Sequence, residues 1–309
     1  MNGTKGKILN LLREESAIVS GEAISTTLGL SRTAIWKHIQ KLQHCGYDIR
    51  ASGKGYQLMV EPDVPYAWEF TGREKAIHFY PEVSSTMDIA RKLARGGCPA
   101  LTVVTAERQT LGRGRLQRNW QSETGGLYFT VVLRPNLAPM LSLRVNFCVS
   151  LVMAKTLQQL YGIPAVVKWP NDILVSDRKI AGMLSEMEAE TDRVAYVNVG
   201  IGLNVNNDPS SAVPGAVSLK EIVGQPVSRK TILAAYLDAL EARLETIDSI
   251  NVIDEWKTQT VTIGRKVKIQ TQTETSEGTA VDVDENGSLI LRLADGSLKT
   301  IIYGDCFHL

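Results

Sequence analysis

Three arginines and two glycines crowd into Gly112-Arg113-Gly114-Arg115-Leu116-Gln117-Arg118-Asn119-Trp120. Glycines let a backbone come close to a ligand, and guanidinium groups fork onto carboxylate or phosphate oxygens. The indole of Trp120 offers a flat surface to a planar base. The spacing is not that of a G-x-x-x-x-G-K-[ST] phosphate loop, and the same residues also read as a basic surface loop ending in a core tryptophan. A second group, Lys168-Trp169-Pro170-Asn171-Asp172, ends an apolar strand and is followed past a hairpin by Asp177-Arg178-Lys179-Ile180-Ala181-Gly182. Two lysines and an aspartate can converge there on one cleft, although Asn-Asp after proline is also ordinary turn chemistry. Third, Gly200-Ile201-Gly202-Leu203-Asn204 puts glycines inside a strand, which marks close approach of a ligand or another backbone, or a simple bulge. Ser84-Ser85-Thr86 precedes a helix and reads equally as its N-cap.

Those groups sit in the middle of three segments. At the N-terminus, apolar residues at Ile8, Leu11 and Leu12, a short helix from Glu22 to Leu28, a Gly29 turn and Ser31 as the N-cap of a third helix follow helix-turn-helix grammar. Ile35, Ile39 and Leu42 form the apolar stripe of that third helix, and Trp36 is expected in the core with them. Tyr47 to Ala51 and Tyr56 to Met59 read as strands around Ser52-Gly53-Lys54-Gly55, which makes a winged helix over 1–62 with Pro62 to Pro65 as linker. In the middle segment, 66–258, apolar strands at Leu101 to Ala106, Leu127 to Leu133, Ala165 to Lys168 and Val194 to Leu203 alternate with helices near 86–95 and 142–161. An α/β or α+β domain is implied. A helix from Ser228, apolar at Leu233, Tyr236, Leu237, Leu240 and Leu244, is expected to close it. From 261 to 309 the pattern turns to period two, with hairpin signals at Asn286-Gly287 and Asp295-Gly296, so a small β-barrel is expected.

Bulk properties exclude little but bound the answer. A chain of 309 residues is long for one domain, and 44% hydrophobic with 22% charged residues describes an ordinary globular protein. Net charge is +1, so any electrostatic footprint is local. Residues 1–60 hold eight basic residues (Lys5, Lys7, Arg13, Arg32, Lys37, Lys41, Arg50, Lys54) against four acidic ones, a local excess of four. Cys45, Cys98, Cys148 and Cys306 form no metal-type spacing and read as free thiols, the four histidines form no catalytic or metal constellation, and neither a signal peptide nor a membrane span is recognisable. A cytoplasmic protein without a bound metal centre is expected.

In combination and in this order, the arginine-glycine loop, Lys-Trp-Pro-Asn-Asp and the Arg-Lys-x-Ala-Gly run resemble the bifunctional biotin protein ligase and biotin repressor family, along essentially the whole chain. The resemblance implies a multidomain α+β protein: winged helix-turn-helix, class II synthetase-like α/β catalytic domain, and SH3-like β-barrel. It implies that Ser85, Thr86, Gln109, Gly112, Arg113, Arg115, Lys179, Gly182 and Gly200 surround biotin, and that Arg118, Trp120, Lys168, Asn171, Asp172 and Asn204 serve ATP. Met87 departs from the pattern, since similar members often carry asparagine there.

The implied chemistry is attack of the biotin carboxylate on the α-phosphate of ATP, then transfer from the adenylate to a lysine of a biotin carboxyl carrier protein. Arg115, Lys168 and Lys179 are the expected catalytic cations, with Mg²⁺ accompanying ATP near Asp172. Arg32, Thr33, Lys37 and Gln40 on the third helix, with Lys54 in the wing, are expected at operator DNA, and a homodimer is expected once the adenylate is bound. Two other readings stay open: a lipoate ligase, which usually lacks the N-terminal helix-turn-helix, and a non-enzymatic repressor with a degenerate ligase domain.

Overall fold

The computed structural model describes residues 2–14, 18–244 and 251–309. The chain divides into two compact units, Met1–Phe79 and Tyr80–Leu309.

The first unit holds helices α1 (Asn2–Glu14), α2 (Gly21–Leu28) and α3 (Arg32–His44) and the antiparallel strands β1 (Asp48–Ser52) and β2 (Gly55–Val60). Ser20 and Ser31 cap α2 and α3, each hydroxyl accepting the backbone N–H three residues on, and Gly29 ends α2 in the left-handed region at φ 63°. Ser52 pairs with Gly55, so Gly53 and Lys54 form the two-residue wing turn. Val19 and Tyr56 exchange both backbone hydrogen bonds, and a Cβ at Gly55 would lie 2.2 Å from the Val19 carbonyl oxygen; only glycine fits. Ile8, Leu12, Ile24, Ile35, Ile39 and Leu42 make the core. Trp36 does not join them: it is 52% exposed on the outside of α3, because a residue one position after Ile35 is turned about 100° away from the core.

The boundary expected at residues 62–66 falls inside this unit. Trp68 packs in the same core and donates its Nε1–H to Tyr47 Oη at 3.0 Å, and Tyr47 donates to Glu69. Arg13 bridges Glu61 and Glu69 at 2.5 and 2.7 Å. These bonds tie residues 61–69 to α1 and to Tyr47 just ahead of β1, and burial beside Glu69 holds the Tyr47 hydroxyl well above the ordinary phenol range.

The second unit is built on a seven-stranded sheet in the order β3-β4-β5-β9-β8-β7-β6. Its strands are β3 (Ile77–Val83), β4 (Thr102–Gln109), β5 (Leu127–Leu133), β6 (Ala165–Lys168), β7 (Asp172–Val175), β8 (Arg178–Glu190) and β9 (Arg193–Leu203). Pairing from β4 through β6 is antiparallel. Helix α4 (Thr86–Arg95) covers one face, with Ala90 and Ala94 against Val104, Val132 and Tyr196. The opposite face meets α7 (Arg229–Leu244), whose Tyr236 ring lies 5.6 Å from that of Phe129, and the largely buried α5 (Ser142–Tyr161). Cover on both faces explains why β5 is buried at every position. A short α6 (Leu219–Val223) lies between β9 and α7.

The helix from Ser228 does not close this layer. α8 (Asn251–Gln259) follows it and sets Trp256 against Phe147 of α5, ring centroids 4.6 Å apart. Nor is the polar side of α7 plain surface: Arg229 is buried and ion-paired with Glu107 at 3.0 Å.

Residues 262–309 form a five-stranded sheet in the order β13-β12-β11-β10-β14, all pairs antiparallel. The strands are β10 (Lys266–Gln270), β11 (Thr275–Val283), β12 (Leu289–Arg292), β13 (Leu298–Ile301) and β14 (Asp305–His308). Gly287 and Gly296 take positive φ in the two expected turns. The last strand, absent from the sequence expectation, pairs with β10 rather than with its neighbour β13, and the hydrogen-bonded order leaves β13 and β14 at its two ends. Trp169 joins this sheet to the larger one, its backbone N–H donating to Thr262 Oγ1 and its Nε1–H to Gly287 O, both at 3.0 Å.

Candidate functional site

A cleft of about 410 Å³, an ordinary size for a small-molecule site, opens where α4, the ends of β4 and β6, and strands β7, β8, β9 and β14 meet. Every ligand-site residue expected from the sequence lines it except Gly112. Gly112 lies behind the wall, where a Cβ would stand 2.4 Å from Trp120 O and 2.6 Å from Ser122 Oγ.

One end of the cleft is neutral. Gln109 Oε1 accepts from Thr86 N and Thr86 Oγ1 at 2.9 and 3.1 Å, and Gln109 Nε2 donates to Ser122 Oγ at 2.9 Å. Thr130 Oγ1 lies 2.8 Å from Thr86 Oγ1 and completes the chain. Ser85 stands at the N-cap position of α4 but makes no capping bond, and its buried hydroxyl has no partner. Buried polar groups are almost always paired, so an orphan in a cleft wall marks a place for a ligand atom. Met87 is buried beside it, its Sδ 2.7 Å from where a Cβ on Gly200 would be.

The other end is cationic. Arg115, Arg118, Lys168 and Lys179 line the cleft together with two carboxylates, Asp172 and Asp305. Lys179 Nζ contacts Asp172 Oδ1 at 2.6 Å and Arg118 contacts Asp305 Oδ2 at 2.5 Å. Arg115 donates to Asn171 Oδ1 at 3.2 Å, and Asn171 is fixed in turn by Met183, whose N–H donates to its carbonyl and whose carbonyl accepts from its Nδ2. Burial pushes the Arg115 guanidinium below its ordinary range, against the opposing pull of Asp305 and Asp172. Among the described residues neither Arg115 nor Lys168 has an ion pair. Two cations without an ion pair in the cleft wall favour an anionic ligand.

Trp120 lies flat on the sheet between the two ends. A Cβ at Gly202 would be 2.3 Å from its ring and one at Gly182 2.9 Å, so the strand glycines accommodate an indole rather than a backbone. Lys179 Nζ is 5.4 Å from the ring centroid, and the buried indole N–H has no partner. Asn204 is also buried, its Oδ1 accepting from Asn207. Arg113 lines the cleft with its guanidinium held by Asp88 at 3.0 Å and Glu186 at 3.1 Å.

Two parts of the wall went unnoticed in the sequence. Residues 209–216 supply Pro209, Val213, Pro214, Gly215 and Ala216, held to β8 by Lys179 N–H donating to Gly215 O at 2.8 Å. Strand β14 supplies Asp305, Cys306 and Phe307. Neither stretch has an apolar period or glycine pattern that announces a site; the acidic Asp305 after Gly304 was the one available signal.

In the first unit, Arg32, Thr33 and Lys37 are exposed on α3, Gln40 is half-buried beside them, and Lys54 is exposed in the wing turn. Arg32 pairs with Glu22 at 2.9 Å and Gln40 donates to Gln43. Lys37, Lys41 and Lys54 form no ion pair among the described residues.

Among the described residues, no three His, Cys, Asp or Glu side chains group as metal ligands, and no helix is long and apolar enough to cross a membrane.

Comparison with known proteins follows the same division. Residues 79–205 match the biotin/lipoate A/B protein ligase family, residues 262–309 the biotin protein ligase C-terminal domain, and residues 5–57 an HTH domain. The bifunctional ligase/repressor BirA of Bacillus subtilis (strain 168) is 32% identical over 298 residues, covering 91% of each chain. BirA of Escherichia coli (strain K12) is 31% identical, covering 93% of this chain and 91% of its own. The biotin protein ligase from Aquifex aeolicus in complex with biotin and ATP superposes with a TM-score of 0.63 at 29% identity, covering 75% of this chain and 98% of that one. With the helix-turn-helix, ligase and C-terminal segments all matched and relatives above 30% identity along both chains, this chain belongs to the bifunctional ligase/repressor family of biotin protein ligases.

Proposed function

We propose that this chain joins biotin to AMP from ATP, transfers the biotin to a lysine of a biotin carboxyl carrier protein, and represses transcription by binding operator DNA. The observation that carries the enzymatic half is the polarity of one cleft: an orphan hydroxyl and an amide-hydroxyl chain at one end, and Arg115, Arg118, Lys168 and Lys179 with two carboxylates at the other. The neutral end, at Ser85, Thr86 and Gln109, suits the ureido ring of biotin. The cationic end, with Trp120 beside it, suits a nucleoside triphosphate.

In the first step a biotin carboxylate oxygen bonds to the α-phosphorus, the bond to the β-phosphate oxygen breaks, and pyrophosphate leaves with the electron pair. In the second, the uncharged carrier amine bonds to the acyl carbon, AMP departs, and the amine loses a proton. Neither step needs an enzyme nucleophile, and no histidine lines the cleft. The chain's task is to bring two anions together and to hold charge that develops on phosphate oxygens. That role falls to Arg115, Lys168 and Lys179 in this reading, and removing one such preorganised donor typically costs about 3–4 kcal/mol. Asn171 orients Arg115; Asp172 orients Lys179. Mg²⁺ would accompany ATP and neutralise phosphate charge. Among the described residues no three potential ligands group as a metal site, and Asp172, the carboxylate of the Lys168–Asp172 turn, would stand beside an ion held mainly by phosphate oxygens.

The repressor half is carried by α3 and the wing, with Arg32, Thr33, Lys37, Gln40 and Lys54 at bases and phosphates. A palindromic operator requires a homodimer, which we assign to the adenylate-bound state, and the ATP-dependent chemistry and unpaired thiols suit the cytoplasm.

The test is incubation with biotin, Mg²⁺ and α-labelled ATP without carrier, with lipoate in parallel. Retained labelled biotinyl-adenylate, lost in Lys168→Met and Lys179→Ala, is the expected result; sedimentation of the same samples reads the dimer. Adenylate from lipoate alone, or biotin binding without adenylate, would refute the enzymatic half.

A further inference from the structure

Trp36 is the large apolar side chain of the first unit whose placement runs most against its chemistry. It is 52% exposed on α3, and its side chain takes part in no hydrogen bond, ring contact or cation–π contact among the described residues. Tryptophan normally buries most of its large surface, and alanine or lysine would serve an exposed helix position better. Three and four positions away along the helix are Arg32 (paired with Glu22), Thr33, the buried Ile39 and Gln40. Lys37 and Lys41 on the same helix, and Lys54 in the wing, are exposed without ion pairs. An apolar plate flanked by Thr33 and Gln40, on a helix that also carries the unpaired Lys37 and Lys41, complements a polyanion whose interior edge carries methyl groups. A purely apolar protein patch would instead have to desolvate those lysines.

We propose that Trp36 is a base-reading residue: with α3 in the major groove, the indole packs on the C5-methyl group of a thymine, while Thr33 and Gln40 beside it reach polar base edges and Lys37 reaches a phosphate. The proposal rests on the DNA-binding function above and adds to it a stated base preference. Thymine is the one base whose major-groove edge offers a methyl group, so an apolar side chain there discriminates sequence without a hydrogen bond.

Duplexes enriched from a randomised pool by the wild-type chain, with biotin and MgATP present, would be resynthesised with deoxyuridine replacing each thymidine in turn. Uracil keeps every base-pair hydrogen bond and removes only the methyl. At one or two positions this change should weaken wild-type binding about fourfold, the equivalent of exposing one buried methyl group. Trp36→Ala should bind the thymine duplex at least that much more weakly and no longer distinguish uracil from thymine there. Its salt dependence should match wild type, since no phosphate contact is lost. Because the position is exposed and alanine favours helix, the variant should keep its thermal midpoint and its adenylate formation. Indifference of the wild type to uracil at every position, or discrimination retained by Trp36→Ala, overturns the proposal while leaving DNA binding intact. A Trp36→Ala defect in self-association with unchanged methyl discrimination makes the residue a protein contact and overturns it equally. Failure of the wild type to enrich any duplex removes the DNA-binding function and this proposal with it.

Discussion

Replacing Gly202 by alanine should disable the nucleotide end of the cleft while sparing the sheet that carries it. The new Cβ would stand 2.3 Å from Trp120 Cε2, 2.4 Å from Nε1 and 2.8 Å from Cζ2. Carbon atoms settle at about 3.5–4.0 Å, so the ring must retreat by about 1 Å or more. Gly202 has no positive φ, so alanine brings no backbone strain, and its β propensity offsets part of the crowding. Because Trp120 sits in a loop, it can yield; the thermal stability should change by less than about 1 kcal/mol, below the 1–3 typical of overpacking a closed core. A base stacked on an aromatic ring is worth about 1–3 kcal/mol, so the KM for ATP should rise about 5- to 150-fold. Gly200→Ala is the paired control: its Cβ meets Met87 Sδ and Cγ at 2.7 and 3.1 Å, at the neutral end, so the KM for biotin should rise instead. Initial rates of pyrophosphate release, with each substrate varied in turn, read both. A folded Gly202→Ala with an unchanged KM for ATP, or an equal rise for both substrates, would refute the division of the cleft.

Two further outcomes follow from the C-terminal sheet. Burial, then Lys168 and Arg265, lowers the His308 pKa from its ordinary 6.5 to about 4, with Asp177 and Asp172 opposing. Between those values the unfolded chain binds more protons, so stability is complete above about pH 6.5, falls as pH drops toward 4, and levels below it. The loss should be smaller in His308→Gln, measured as denaturation midpoints at pH 7 and 4.5; equal losses would remove His308 as a cause, and its half-exposed ring makes the difference modest. Trp169→Phe leaves Gly287 O without its indole donor and should cost about 1–3 kcal/mol, with amide exchange accelerating first in β10–β14. Unchanged exchange there would mean that the indole bond does not hold the two sheets together.

Much of this molecule is legible along the chain because its signals are short-range. Ser31, Gly29 and the Ile35–Ile39–Leu42 spacing specify a capped third helix through contacts within a few residues, and Asn286-Gly287 and Asp295-Gly296 specify turns through their own φ preferences. The basic loop and the Lys-Trp-Pro-Asn-Asp turn announce their chemistry through residue type, and all but Gly112 of the expected ligand residues do face one cleft. What the tertiary structure decided is which surfaces meet. Arg113 and Glu186 are far apart in sequence, and only the tertiary structure brings Asp88 of α4 and Glu186 of β8 to that guanidinium. Gly200 and Gly202 line the cleft, and only the fold shows that Met87 and Trp120 stand against them there. Trp36 reads as core by composition, yet one helical step beyond Ile35 carries it to the outer face. Strand β14 brings Asp305 to Arg118 because it pairs with β10, a choice made by long-range hydrogen bonding that no local pattern encodes.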